Sequence, residues 1–136
     1  MTNGGNTWDV AYSRIVWFEQ LLRSHQNVQT VQRRDDIIFE VERQKQRDHL
    51  IALCCYEYTM GITAVHRAQA EFGKLDLIHI GGGWCGYTEE AKKYCLSSRI
   101  GLYVSDEMTG ALWRDEVWSY HKKDRDGNPI YFMRSA

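Results

Sequence analysis

The ten residues from His49 to Tyr58 (HLIALCCYEY) are apolar on both alternating faces until Glu57. A strand of that kind has no side to offer water, so it belongs in the middle of a sheet covered on both faces. Its upstream neighbour, Asp36 to Glu42, sets Ile37, Phe39 and Val41 against Ile38, Glu40 and Glu42, which predicts a strand with one wetter face. The polar run Arg43 to Asp48 between the two reads as a hairpin loop.

Cover for such a sheet is written on either side of it. Trp8, Ala11, Tyr12, Ile15, Phe18 and Leu22 recur at three- and four-residue steps, predicting a helix from about Trp8 to His25 capped by Thr7. Val28 to Gln32 predicts a short strand. Thr59-Met60-Gly61 opens a second helix whose apolar side holds Ile62, Val65, Ala68 and Phe72, and Gly73 ends it. Leu75 to Ile80 is a strand that leads into the loop Gly81-Gly82-Gly83-Trp84-Cys85-Gly86-Tyr87. Thr88 then caps a third helix, with Glu89 and Glu90 in its first turn and Lys92 and Lys93 in its middle, a charge order that suits the helix dipole. Ile100 to Val104 is the next strand, Ser105-Asp106-Glu107 starts a short helix, and Val117 to Met133 predicts a hairpin turning at Asp124 to Asn128. The expected fold is one α/β domain over residues 7–136 behind a flexible tail, residues 1–6. Its mixed β-sheet is flanked by helices, and a C-terminal β-hairpin follows. Ile37, Phe39, Val41, Leu50, Ala52, Cys54, Leu77 and Ile80 are expected inside.

Composition narrows the class of protein. The 136 residues amount to about one domain. With 12% aromatic residues, including five Trp and eight Tyr, the chain has the material for a packed core and not the profile of disorder. Seventeen basic against eighteen acidic residues give a net charge of −1, which disfavours nucleic acid as a partner, although a local basic stripe would be compatible with it. There is no apolar run long enough for a membrane span and no signal-peptide pattern at the start, so no membrane partner is expected. Cys54, Cys55, Cys85 and Cys95 sit in or beside apolar segments and read as buried thiols of a cytoplasmic protein.

Three constellations could carry chemistry. Gly81-x-Gly83-x-x-Gly86 follows a strand and precedes a helix, and Asp106 lies twenty residues beyond, which outlines a nucleotide-binding loop. Against this, Thr88 starts the helix after the third glycine, and Glu89 and Glu90 occupy the turn where a pyrophosphate would sit. The plainer reading is a flexible strand-to-helix loop at a pocket rim. The second constellation is acidic: Asp36, Glu40 and Glu42 share one strand parity and Glu57 closes the returning strand, so carboxylates on adjacent strands could hold Mg²⁺, and the plainer reading is a solvated strand face screened by arginines. The third is His79, a lone histidine in an apolar strand just before the glycine loop, which faces either a partner or a pocket. The five histidines show no metal-ligand spacing, and no nucleophile elbow is present.

The order α-β-β-β-α-β over residues 8–80, Asp36-Ile37-Ile38 at a strand start, and Gly86-Tyr87-Thr88-Glu89-Glu90-Ala91-Lys92-Lys93-Tyr94 at a helix start resemble the PD-(D/E)xK nuclease-like fold, and Mrr-type restriction endonucleases in particular. The resemblance implies that Asp36 stands at the first catalytic acid. Leu53 then stands at the position of the family's acid or glutamine and Cys55 at that of its lysine. It implies the scaffold without the lysine that orients the attacking water.

The expected function is therefore a non-catalytic binding or assembly protein on a degenerate nuclease-like scaffold, with no cofactor. His79, Trp84 and Tyr87 are expected to line the site of a small neutral or aromatic ligand, anions being repelled by Glu89 and Glu90. Trp113, Trp118, Tyr120, Tyr131 and Phe132 form an aromatic C-terminal region expected to pack on the sheet or to make a homodimer. The alternatives are a Mg²⁺-dependent nuclease using Asp36, Glu40 and Glu57, and nucleotide binding through Gly81 to Gly86.

Overall fold

A computed structural model describes residues 2–135. The long apolar segment is the third strand of a five-stranded mixed sheet. A helix, α1 (Tyr12–Ser24), precedes the hairpin β1 (Val28–Asp35) and β2 (Ile38–Arg43), and β3 (His49–Cys54) returns beside β2. A two-residue strand β4 (Thr59–Met60) leads into α2 (Ile62–Phe72) and β5 (Leu77–His79). Strand β6 (Gly86–Tyr87) pairs with β4 and leads into α3 (Glu89–Ser97), β7 (Gly101–Tyr103) and α4 (Ser105–Ala111). After a short 3-10 turn at Val117–Ser119, β8 (Lys122–Lys123) and β9 (Pro129–Ile130) form the C-terminal hairpin.

The sheet order is β1-β2-β3-β5-β7, antiparallel as far as β3 and parallel from there on. Helices α2 and α3 are the crossovers between the parallel strands, and they pack on each other. The carboxyl ends of β3, β5 and β7 therefore lie side by side at one edge. All eight residues expected inside are buried. Helix α1 lies on the face that carries Phe39 and His79: the Phe18 ring meets Phe39 edge-on at 5.3 Å and stacks on His79 at 4.5 Å.

Several boundaries differ from the pattern, each for a local reason. Helix α1 starts at Tyr12, not Trp8, because the Asn6 side-chain oxygen accepts the N–H groups of Trp8 and Val10 and Asp9 takes a positive φ of 54°. Thr7 is not the cap; its hydroxyl meets Glu71. Regular β3 pairing stops at Cys54, although the N–H groups of Cys55 and Glu57 still reach the carbonyls of His79 and Ile80. Arg43, expected in a solvated loop, is buried. It pairs with Asp48 at 2.6 Å and donates to the carbonyls of Leu112, Arg114 and Asp115, fastening the β2–β3 hairpin to the segment after α4. Thr88 caps α3 as expected, accepting from Ala91 N–H at 3.1 Å.

At the C-terminal end Trp118, Tyr120 and Phe132 are partly buried against the core, while Trp113 and Tyr131 stay exposed. All four cysteines are buried and free. Among the described residues no helix is long and apolar enough to cross a membrane.

Candidate functional site

Where three parallel strands end together, their loops diverge and leave a crevice. Here that crevice is a cavity of about 260 Å³. Cys54, Cys55 and Tyr56 enter it from the end of β3, His79 and Gly81 to Gly83 from the end of β5, and Ser105 and Asp106 from the start of α4. Arg14 and Trp17 of α1 close the remaining side. Its size sits just under the roughly 300–1,000 Å³ of drug-sized sites, so it suits a small ligand.

The floor of the cavity carries no charge. His79 is 3% exposed, its ring stacked on Phe18 and on Trp17, the latter at 6.0 Å. Burial pushes its pKa down to about 3, so it is neutral throughout the physiological range. Its Nε2 lies 2.8 Å from Ser105 Oγ, and Ser105 Oγ lies 3.1 Å from the Gly81 carbonyl. With the proton on Nε2 both hydrogen bonds form; with it on Nδ1 only one does. The first tautomer is therefore favoured, and it leaves Nδ1 a buried acceptor with no partner. Burial likewise raises the Cys54 thiol to about 12 and the Cys55 thiol well above its ordinary value, so neither is a thiolate. A Ser105–His79 pair cannot run acyl transfer on these terms, because so weak a base takes no proton at neutral pH and no carboxylate orients its Nδ1.

The rim is different. Gly81 has a φ of +124°, and a Cβ there would meet Cys85 Sγ at 2.5 Å and the Tyr56 ring at 3.0 Å. Only glycine lets the chain turn this close to its neighbours. Among the described residues the N–H groups of Gly81, Gly82 and Gly83 donate no hydrogen bond. The Arg14 guanidinium lies 4.0 Å over the Tyr56 ring.

Of the three residues expected to line a ligand site, the structure places only His79 there. Trp84 is 77% exposed and lies outside the cavity, because the loop carries it outward while its carbonyl accepts from Arg134 at 2.6 Å. Tyr87 is fully buried elsewhere: its backbone pairs in β6 and its hydroxyl donates to Glu107 at 2.8 Å. Replacing Trp84 by alanine is expected to change stability by less than about 0.5 kcal/mol in urea denaturation, as at other exposed sites, and a core-sized loss would show that the ring packs inward. Glu89 and Glu90 are also away from the cavity, on a separate depression with Gly61, Thr63 and Arg134, so they do not set its charge. Gly86 lies in β6, so the glycine loop does not run straight into a helix.

The acidic residues are dispersed into other work. Asp36 accepts the N–H groups of Thr2, Asn3 and Gly4 at 2.6–3.0 Å, and Arg33 lies 3.3 Å away. Burial alone would raise its carboxyl, but these hydrogen bonds and one from Asn6 outweigh it and hold it well below the usual carboxylate range. Asp36 thus ties down Thr2 to Gly4. Glu40 pairs with His49 at 2.9 Å and with Arg34 at 3.8 Å. Glu57 is half-buried, which raises its pKa, and Arg67 is its main counter-charge. Among the described residues no group of three or more His, Cys, Asp or Glu could hold a metal ion. Asp36→Ala is expected to lower stability by about 1–3 kcal/mol at neutral pH, as for hydrogen bonds to a charged group. Because the folded carboxyl titrates lower than the unfolded one, the wild-type advantage should fade as pH falls below about 4. A difference that persisted undiminished in acid would contradict the assignment.

One buried cluster escaped the sequence pattern. Lys92, 2% exposed, donates to the edge carbonyl of Leu102 at 2.7 Å. Its ammonium lies 4.2 Å from the Tyr103 ring and 4.8 Å from that of Tyr87. Burial lowers it to about 8, with Glu107 opposing that shift. Glu107 accepts from Tyr87 and from its own N-cap, Val104 N–H, at 3.0 Å. In sequence, Lys92 was one of two mid-helix lysines whose charge suits the helix dipole, and only the closeness of β7 and α4 makes it internal.

No protein-family model, curated protein or solved structure matches this chain.

Proposed function

We propose that this chain is a non-catalytic binding protein whose ligand, a small aromatic molecule, occupies the cavity at the carboxyl ends of β3, β5 and β7. The observation that carries this is the cavity itself: aromatic and thiol side chains line it, and its one histidine is held neutral. The order α1-β1-β2-β3-α2-β5, with Leu53 and Cys55 where the nuclease-like family has its acid and lysine, supports reading the frame as a nuclease-like scaffold put to another use. The dispersal of Asp36, Glu40 and Glu57 favours this over a Mg²⁺-dependent nuclease. Four protonated thiols fit a reducing compartment such as the cytoplasm.

The test is an amide and indole NMR titration with phenol, benzamide and benzoate. Shifts should concentrate on the Trp17 indole and the Gly81 to Gly83 amides. Gly82→Phe places a ring at the mouth, at a position where a Cβ meets nothing within 4 Å, and should abolish them. If none of the three moves those signals, the binding reading fails. The proposal includes association of two copies through the exposed Trp113 and Tyr131; a monomer mass by light scattering at micromolar concentration would remove that part.

A further inference from the structure

We infer that the cavity takes a small aromatic monocarboxylic acid, its carboxylate held at the rim between the Arg14 guanidinium and the Gly81 to Gly83 amides and its ring on the uncharged floor beside His79 and Trp17. This rests on the binding reading above and adds the charge and class of the ligand.

Two separate observations converge on an anion. The first is Arg14. Among the described residues its guanidinium has no ion pair and no hydrogen bond; it is held over the Tyr56 ring, 4.0 Å from the centroid. A guanidinium fixed by stacking keeps its N–H donors pre-oriented, which suits the two oxygens of a carboxylate. The second is the glycine loop. Three consecutive N–H groups at the same rim donate no hydrogen bond among the described residues. Gly82 and Gly83 present no side chain, and a Cβ at either would meet nothing within 4 Å, so a ligand can approach their backbone. Successive backbone N–H groups in a turn form an anion-binding concavity, and the Cys85 N–H donating to the Gly82 carbonyl at 3.0 Å closes such a turn here.

The floor sets the rest of the ligand. Trp17 and Tyr56 offer aromatic contact, the buried His79 beneath Trp17 is neutral, and none of them balances a second charge. Asp106 also lines the cavity, next to Ser105, whose N–H donates to the Gly81 carbonyl at 2.9 Å; its carboxylate disfavours a dicarboxylate or a polyphosphate and leaves a single acid group.

Benzoate, its neutral isostere benzamide and inorganic phosphate are the probes, titrated into the full-length protein with the Trp17 indole and Gly81 to Gly83 amides as reporters. Benzoate is expected to bind about tenfold more tightly than benzamide, a difference of about 1.4 kcal/mol. In Arg14→Gln that preference should vanish through loss of benzoate affinity, with benzamide unchanged; Arg14 is exposed, so the variant should keep its fold. Equal binding of benzoate and benzamide to the wild type overturns the acid while leaving the cavity a binding site. Phosphate binding as tightly as benzoate at the same amides overturns the aromatic class in favour of a general anion. A benzoate preference that survives Arg14→Gln overturns the role given to Arg14. Silence from all three probes removes the inference, and the binding reading falls with it only if phenol is silent too.

Discussion

Between about pH 9 and pH 11 the folded protein is expected to lose stability steeply, because buried thiols are its most numerous strongly shifted groups. Burial pushes Cys54 and Cys95 up from 9.0 to about 12, and Cys55 well above 9.0. Above pH 9 the unfolded chain releases these protons and the folded chain keeps them, so rising pH favours unfolding. Each such thiol is worth about 1.4 kcal/mol per pH unit once the unfolded thiol is ionised, so three give about 4 kcal/mol per unit. Lys92 opposes this. Its folded pKa of about 8 lies below the unfolded 10.5, so between these values the unfolded state binds the extra proton and stability rises with pH. That offset is about 1.4 kcal/mol per unit and ends near pH 10.5, while Tyr87 and Tyr103, both raised by burial from 10.0, add to the loss as pH passes 10. Just below pH 10 the net slope is about −3 kcal/mol per unit, enough to exhaust a typical domain stability of about 5–15 kcal/mol within a few units. Urea denaturation at a series of pH values, with reductant present, measures it. Cys95→Ala should make the slope shallower by about one thiol's share. A flat profile from about pH 9 to 10.5 would show that the thiols are reached by solvent.

The second large effect is expected from Glu107→Leu. Glu107 is fully buried and takes hydrogen bonds from Tyr87 and Val104, and its charge faces the buried ammonium of Lys92. Leucine leaves two donors unmet and a buried cation without its counter-charge, which costs about 3–5 kcal/mol. At about 3–4 °C per kcal/mol for a chain of this size, the melting temperature should fall by about 10 °C or more. Adding Lys92→Met removes the stranded charge, so the double variant should recover part of the loss, and the coupling between the two sites is read from the cycle. A single variant within about 3 °C of wild type would mean that the cluster carries no net charge in the folded state.

The candidate site was half legible. His79 drew attention because a histidine inside an apolar strand requires a partner, and the glycine run after it required close backbone approach; both are at the cavity. Arg14 and Trp17 gave no such signal. They belong to a helix whose periodicity explains Trp17 as core and leaves Arg14 as an ordinary solvated charge. Their role comes from where α1 lies on the sheet. Trp84 and Tyr87 misled for the converse reason: neighbours of a glycine loop in sequence need not point where the loop points.

Periodicity, caps and turn residues determined the elements, the mixed sheet's central strand, the buried thiols and the C-terminal hairpin, because each depends on side chains within a few positions of one another. The cavity, the burial of Arg43 and Lys92, and the use of Asp36 to hold Thr2 to Gly4 depend on contacts across more than thirty positions or on a strand edge and a helix face meeting. No local pattern encodes those distances. They follow from the β1-β2-β3-β5-β7 order, which brings three strand ends together and lays α1 across them.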